Sequence, residues 1–203
     1  MYVFLRTRAR VLAAALGLVA SVTLHAQSTF TRQDAARFQT KLAQIVQQGT
    51  IRAARAPRAT QVTDSEVNAY LKYEAGKQVP VGIVDPQLTA LGNGRVGGRA
   101  IVDLDAVRTQ KKRGWTDPLG YLTGRMPVIA SGTLSTQNGI GRFQLESAEI
   151  SGVTIPKTIL QELVSYYSKT PENPAGINMD DPFELPAGIK EIKVGKGAAT
   201  IVQ

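Results

Sequence analysis

The sequence predicts an α+β fold: a curved, mainly antiparallel sheet packed around or against an amphipathic helix, with further helices N-terminal to it. Three observations predict it. Two helix starts with side-chain capping residues stand early in the chain, at Thr31 and Thr63. Asn-Gly pairs at Asn93-Gly94 and Asn138-Gly139 then separate runs that alternate apolar and polar residues. Finally, Pro156 opens an apolar stripe of helical period between the second hairpin and a closing pair of strands.

The chain has 203 residues. Its first ten residues carry Arg6, Arg8 and Arg10 and no acid, and Val11 to Val22 is uncharged and mostly Ala, Leu and Val. That layout is expected of a secretory signal peptide over residues 1–26, cut between Ala26 and Gln27. A retained anchor would need about 20 apolar residues, and Ser21, Thr23 and His25 interrupt the run. Residues 27–203 are long enough for one domain with a proper core and short for two.

The first helix is expected from Thr31, with Asp34 in its first turn, through Ala35, Phe38, Leu42, Ile45 and Val46 to Gly49. Thr50 to Gln61, with Arg52, Arg55 and Arg58, has no clean period and reads as a linker or a ragged strand. Thr63 and Glu66 form a capping box ahead of a second helix that runs to about Ala75, with Gly76 as its stop. Strands follow on either side of Asn93-Gly94, over Gln87 to Gly92 and Arg95 to Val107, and on either side of Asn138-Gly139, over Met126 to Thr136 and Ile140 to Ile150. Asn-Gly supplies the positive φ angles of hairpin turns that match strand twist. A third helix after Pro156 carries Ile159, Leu160, Leu163, Val164 and Tyr167 on one stripe and ends by Pro171. Gly195-Lys196-Gly197 then separates Ile189 to Val194 from Ala198 to Gln203, the closing strands.

Composition narrows the chemistry. The chain has no cysteine and one histidine, His25, which lies in the segment expected to be removed. A Ser/His/Asp triad, a Cys/His pair and the usual zinc ligand sets all need imidazole or thiolate. The formal charge of +8 includes the three arginines of residues 1–26, so the remainder is +5. Such a balance suits anionic headgroups or acidic envelope polymers rather than nucleic acid, or simply solubility.

Three groups remain for chemistry. Asp103 and Asp105 are two apart on an expected strand, so their carboxylates share a face, as an acid–base pair of a glycosidase could. The preferred reading is a solvated face, because Val102 and Leu104 fill the other one. Asp180, Asp181 and Glu184 stand in a Pro-rich stretch whose spacing matches no EF-hand loop, so a solvated connector is preferred to a calcium site. Gly97-Gly98 has no lysine-bearing P-loop after it and fits a bent or bulged strand.

The run Thr63–Leu71, the hairpin around Asn138-Gly139, the run Ile150-Ser-Gly-Val-Thr-Ile-Pro156 leading into the apolar helix, and Leu185-Pro-Ala-Gly-Ile189 before the closing hairpin together resemble the LmeA-like family of bacterial envelope proteins. The resemblance implies phospholipid binding, a tubular sheet-around-helix fold of the TULIP type and no catalytic signature. The resemblance supplies no individual contacts; the apolar faces above give the expected ligand lining: Val102, Leu104, Val128, Phe143 and Leu145 from the strands, and Ile159, Leu163, Val164 and Tyr167 from the helix. Lys111, Lys112, Arg113 and Trp115 combine three cations with the only Trp and would suit contact with an anionic membrane surface, the preferred reading being a solvated loop whose Trp packs against the core edge. No cofactor and no metal is expected. The leading expectation is a non-enzymatic periplasmic protein that binds phospholipid or another hydrophobic ligand; an envelope interaction domain without a small ligand comes second, and a carboxylate hydrolase last.

Overall fold

The computed structural model describes residues 30–50, 56–76, 78–109, 123–171 and 173–203. Among these the order of elements is α1 (Arg32–Gly49), β1 (Ala59–Thr63), α2 (Asp64–Tyr73), β2 (Ile83–Gly92), β3 (Arg95–Asp103), α3 (Leu104–Thr109), β4 (Arg125–Gln137), β5 (Ile140–Ile150), β6 (Val153–Thr154), α4 (Lys157–Ser168), β7 (Phe183–Glu184), β8 (Glu191–Val194) and β9 (Ala198–Val202). The fold is α+β. A curved, open sheet of six strands runs β2-β3-β4-β5-β6, with β7 also on β5, and every pairing is antiparallel. A smaller sheet has the order β1-β9-β8.

Local chemistry explains most boundaries. Thr31 and Thr63 each close a full capping box, with Asp34 and Glu66 at the third helical position. Asn93-Gly94 and Asn138-Gly139 both take positive φ at both residues, as a two-residue hairpin turn between right-twisted strands requires. Ser151-Gly152 does the same between β5 and β6, a third tight hairpin that the expected order of elements lacks. The stretch left open as linker or ragged strand ends in β1, which pairs with β9 from Ala59↔Val202 to Thr63↔Ala198.

One expectation fails. The strand after Asn93-Gly94 stops at Asp103 rather than reaching Val107, and Leu104 and Asp105 open α3 instead of continuing the alternation. The cause is Asp103, whose carboxylate accepts the Ala106 N–H at 3.0 Å and so caps the helix that follows. Leu104 is buried, but at the head of a helix, and the two carboxylates do not share a strand face.

Among the described residues, eight of the ten buried apolar ones belong to one end of the molecule: Ala35, Ile45, Val62, Ala69, Ala75, Ala90, Ile189 and Val194. Leu104 and Ala148 are the other two. The dry core therefore sits between α1, α2 and the small sheet, where the far ends of β2 and β4 also meet it.

Buried polar groups on α2 join that end to the large sheet. Asn68, four residues after Asp64, places its amide against the free edge of β2: Nδ2 donates to Leu88 O at 2.8 Å and Oδ1 accepts Leu88 N–H at 2.7 Å. Both oxygens of Asp64 accept the Ala90 N–H at 3.1 Å, and Gly197 N–H donates to Ala90 O at 2.8 Å. These groups do for the edge what a neighbouring strand would do. Glu66, also buried, takes Lys41 Nζ at 2.8 Å on each oxygen, and the same Nζ donates to Gln61 O at 2.7 Å on the edge of β1. Burial pushes the Glu66 pKa up, but the bonds from Lys41 and Thr63 outweigh it and hold the group below its ordinary value. Asp64 lies above its ordinary value, because desolvation exceeds the help of Ala90 N–H.

Asn68→Ala would leave Leu88 N–H and C=O without a partner, and each such group costs roughly 1–3 kcal/mol. Denaturant unfolding should show a midpoint loss of that order. Glu66 carries its stabilisation above its unfolded value, near 4.5, and loses it as pH falls through the lower folded value. Glu66→Gln should therefore be less stable than wild type at neutral pH by about 1.5–3 kcal/mol, with the gap narrowing in acid. A constant gap from pH 7 into the acid range would contradict the assignment.

Candidate functional site

The register sorts the large sheet into an apolar and a polar face. Val96, Gly98, Ala100 and Val102 of β3 stand opposite Gly132, Ala130, Val128 and Met126 of β4. The same face continues on β5 through Phe143, Leu145, Ala148 and Ile150, opposite Leu134, Gly132, Ala130 and Val128. The other face carries Arg95, Thr133 and Glu146, joined by bonds of 2.9 and 2.6 Å, and the Ser131–Ser147 hydroxyl pair.

The middle of the apolar face is built from small residues, Gly98, Ala100, Ala130, Gly132 and Ala148, with larger ones around them. Gly132 is required by close approach: a Cβ there would stand 2.4 Å from Gln144 O and 2.5 Å from the Phe143 ring. Phe183 lies in the same way over Gly141, where a Cβ would meet its ring at 2.6 Å. Both aromatic rings thus lie close against the sheet.

Coverage of this face is unequal. At the far end the small sheet crosses it: Thr136 Oγ1 accepts Ile192 N–H at 2.7 Å and donates to Ile192 O at 3.1 Å, and Gly94 and Gly139 donate to Val194 O and Lys190 O. Beside β5, α4 covers only part. Its polar side is consumed by the segment that follows it: Gln161 donates to Ile177 O at 3.0 Å and accepts Met179 N–H at 2.8 Å, Ser165 donates to Ile177 O, and Ser168 accepts Ile177 N–H at 2.6 Å. The opposite side carries Leu160, Leu163, Val164 and Tyr167. None of these is fully buried, and Ile159 is 47% exposed. In a close-packed core such residues would be sealed.

Between this strap, α4 and β5 lies a groove of about 790 Å³, within the size range of small-ligand sites. Phe143, Phe183, Ile177, Met179 and Pro182 form its apolar lining, and Ser165, Asn173, Asn178 and Asp181 its polar one.

Of the expected lining residues, only Phe143 borders this groove. Val102, Val128, Phe143 and Leu145 share one sheet face and are half-buried, and Leu163, Val164 and Tyr167 share the apolar stripe of α4. Leu104 is not among them, for the reason given above. Lys111, Lys112, Arg113 and Trp115 lie outside the described residues. Ile177, Met179 and Phe183 have no counterpart in the sequence reading. The one available signal was Gln161, Ser165 and Ser168, spaced by four and three on the side of the helix away from Leu163, a polar row fit to hold a returning chain.

Carboxylates are engaged in structure. Asp103 pairs with Arg125 at 3.0 Å, and the Ala106 N–H and that guanidinium hold its pKa below the ordinary range. Asp105 accepts Gly124 N–H at 3.0 Å, Asp180 pairs with Lys157, and Asp181 accepts from Asn178. Among the described residues no three acidic, His or Cys side chains gather where a metal ion could be held, and no helix is long and apolar enough to cross a membrane.

Neither a protein-family model nor a curated protein matches this sequence.

Gly132→Ala should displace the Phe143 ring and strain the β4–β5 ladder, at a cost of about 1–3 kcal/mol as an overpacked site. The measurement is the thermal midpoint beside that of Gly98→Ala, whose Cβ would meet only ordinary contacts at 3.5 Å or more. Equal losses in the two variants would contradict the packing of Phe143 described here.

Proposed function

We propose that this chain is a non-enzymatic protein of the bacterial cell envelope that binds phospholipid or another hydrophobic ligand along the half-covered apolar face. One observation carries the reading: a continuous apolar sheet face meets an amphipathic helix none of whose side chains is fully buried. Moving an acyl chain out of a bilayer is opposed by about 0.8 kcal/mol for each CH₂. A carrier therefore needs a long apolar surface with room beside it, not a few contacts. The glycine and alanine floor offers room, and the rows from Ile150 to Phe143 offer length.

Export of residues 27–203 belongs to the same proposal, supported by the arginine-rich start and the short apolar run behind it. N-terminal sequencing of protein isolated from the envelope should begin near Gln27; intact Met1 in a membrane pellet would remove the periplasmic part of the proposal. Absence of His and Cys from residues 27–203, and the structural engagement of Asp103 and Asp105, support a binding rather than a catalytic role.

Native mass spectrometry of the protein from its own envelope should find bound lipid. Leu163 is half-buried, so Leu163→Ala should cost about 1 kcal/mol, below the 2–5 kcal/mol of a core leucine, and should show mainly as less lipid retained per protein. A core-sized loss with no lipid in either form would overturn the carrier reading in favour of an interaction domain.

A further inference from the structure

Strand alternation breaks down at one end of the large sheet. Pairing aligns Ile83, Val102 and Met126 in one transverse row, and Ile150 with Val153 and Val128 in the next. All of these stand on the apolar inner face. On the outer face the same end carries Val84, Ile101 and Pro127 in a row, with Ile129 diagonal to Ile101. Farther along, that outer face is polar, with Arg95, Arg99, Thr133, Ser135 and Arg142. The end of the sheet is thus apolar on its inner face across β2 to β6 and on both faces across β2 to β4, a two-sided width of roughly 10 Å at about 4.8 Å per strand, while the outer face of β5 and β6 carries Glu149 and Thr154. Among the described residues at this end, Val153 is 63%, Ile129 52% and Val81 52% exposed.

We infer that this end of the sheet is a lip that inserts into the surface of a phospholipid bilayer. An apolar wedge with two faces is poorly matched to a protein partner, which would have to enclose it, whereas fluid lipid surrounds it without a fixed shape. The inner rows of the lip continue into the apolar face of the proposed trough with no polar row between, so a lipid tail can pass over Val102 and Val128 without crossing charge. This assignment rests on the carrier reading for its purpose, though not for its geometry.

Among the described residues, charges near the lip are of both signs, Asp85, Asp103, Asp105 and Glu149 against Arg99 and Arg125, and Asp103 and Arg125 neutralise one another. The lip itself should therefore dock by apolar insertion rather than by attraction to anionic headgroups. It should persist on zwitterionic lipid and resist salt.

The absence of cysteine permits a direct test. Purified protein with Val153→Cys, labelled with an environment-sensitive dye, should shift to the blue on addition of phosphatidylcholine vesicles, and equally on vesicles that also contain phosphatidylglycerol. The same label at Val46→Cys, exposed on α1 at the other end, should not respond. In flotation, Ile129→Asp and Val153→Asp should weaken vesicle binding at least tenfold, with thermal midpoints near that of wild type and of Val46→Asp. Val153→Trp should strengthen it. The lip is refuted if wild type binds no vesicle, if the aspartate variants bind as wild type does, if binding needs phosphatidylglycerol and vanishes in salt, or if Ile129→Asp instead dissociates a dimer in solution. Lipid retained per protein is measured in parallel. Vesicle binding that depends on the lip with no lipid carried would refute the carrier reading alone, and carried lipid with lip-independent docking would refute the lip alone.

Discussion

The fold depends on how the exposed edge of β2 is closed. An edge strand in water invites further pairing and frays, and here the closing partner is the side of a helix. Asp64 and Asn68, one turn apart on α2, present a carboxylate and an amide to Leu88 and Ala90 at the spacing of two strand residues. Glu66 between them points away, to Lys41 of α1. One short helix therefore terminates the large sheet, holds α1 and, through Asp64 N–H to Gly197 O at 3.0 Å, fixes the closing hairpin. Of its polar side chains, Glu66 and Asn68 are buried and Asp64 half-buried, at a desolvation cost that their pairing offsets.

In the proposed carrier, that junction lets stability and ligand binding occupy different ends. The sealed core lies between α1, α2 and the small sheet, where alanines at Ala35, Ala69 and Ala75 let the elements approach closely. The other end of the sheet contributes little to it. In the proposed carrier, that apolar face would not need to be filled for the molecule to remain folded. A trough that was also the core would lose either its cavity or its stability when a ligand left.

The strap over α4 follows the same division of labour. Gln161, Ser165 and Ser168 satisfy the backbone of Ile177 and Met179, which would otherwise need a strand or water. Holding the strap on the polar side leaves Leu160, Leu163, Val164 and Tyr167 turned away from it. In the proposed carrier, these residues are the ones that meet a ligand, and the groove beside Phe143 and Phe183 is the part of the site that the strap creates.

Sequence by itself determined the parts of this protein governed by local chemistry. Capping boxes at Thr31 and Thr63, Asn-Gly turns with their positive φ angles, and the period of the strands and of α4 each depend on residues within a few positions of one another, so they were legible without a structure. So was the apolar character of Val102, Val128, Phe143, Leu145, Leu163, Val164 and Tyr167. The start of α3 was legible in principle, since Asp103 caps Ala106 three residues on, but strand alternation through Leu104 competes with that signal and obscured it. Only the tertiary structure decided which surfaces those residues meet. Asn68 reads as an ordinary helix residue until Leu88, 20 positions away, is brought beside it. The groove exists because Phe143, Ser165 and Phe183 converge from a strand, a helix and a returning chain. Periodicity states that a face is apolar; whether it is sealed or left open depends on how closely distant elements approach, and that distance is set by packing at the other end of the molecule.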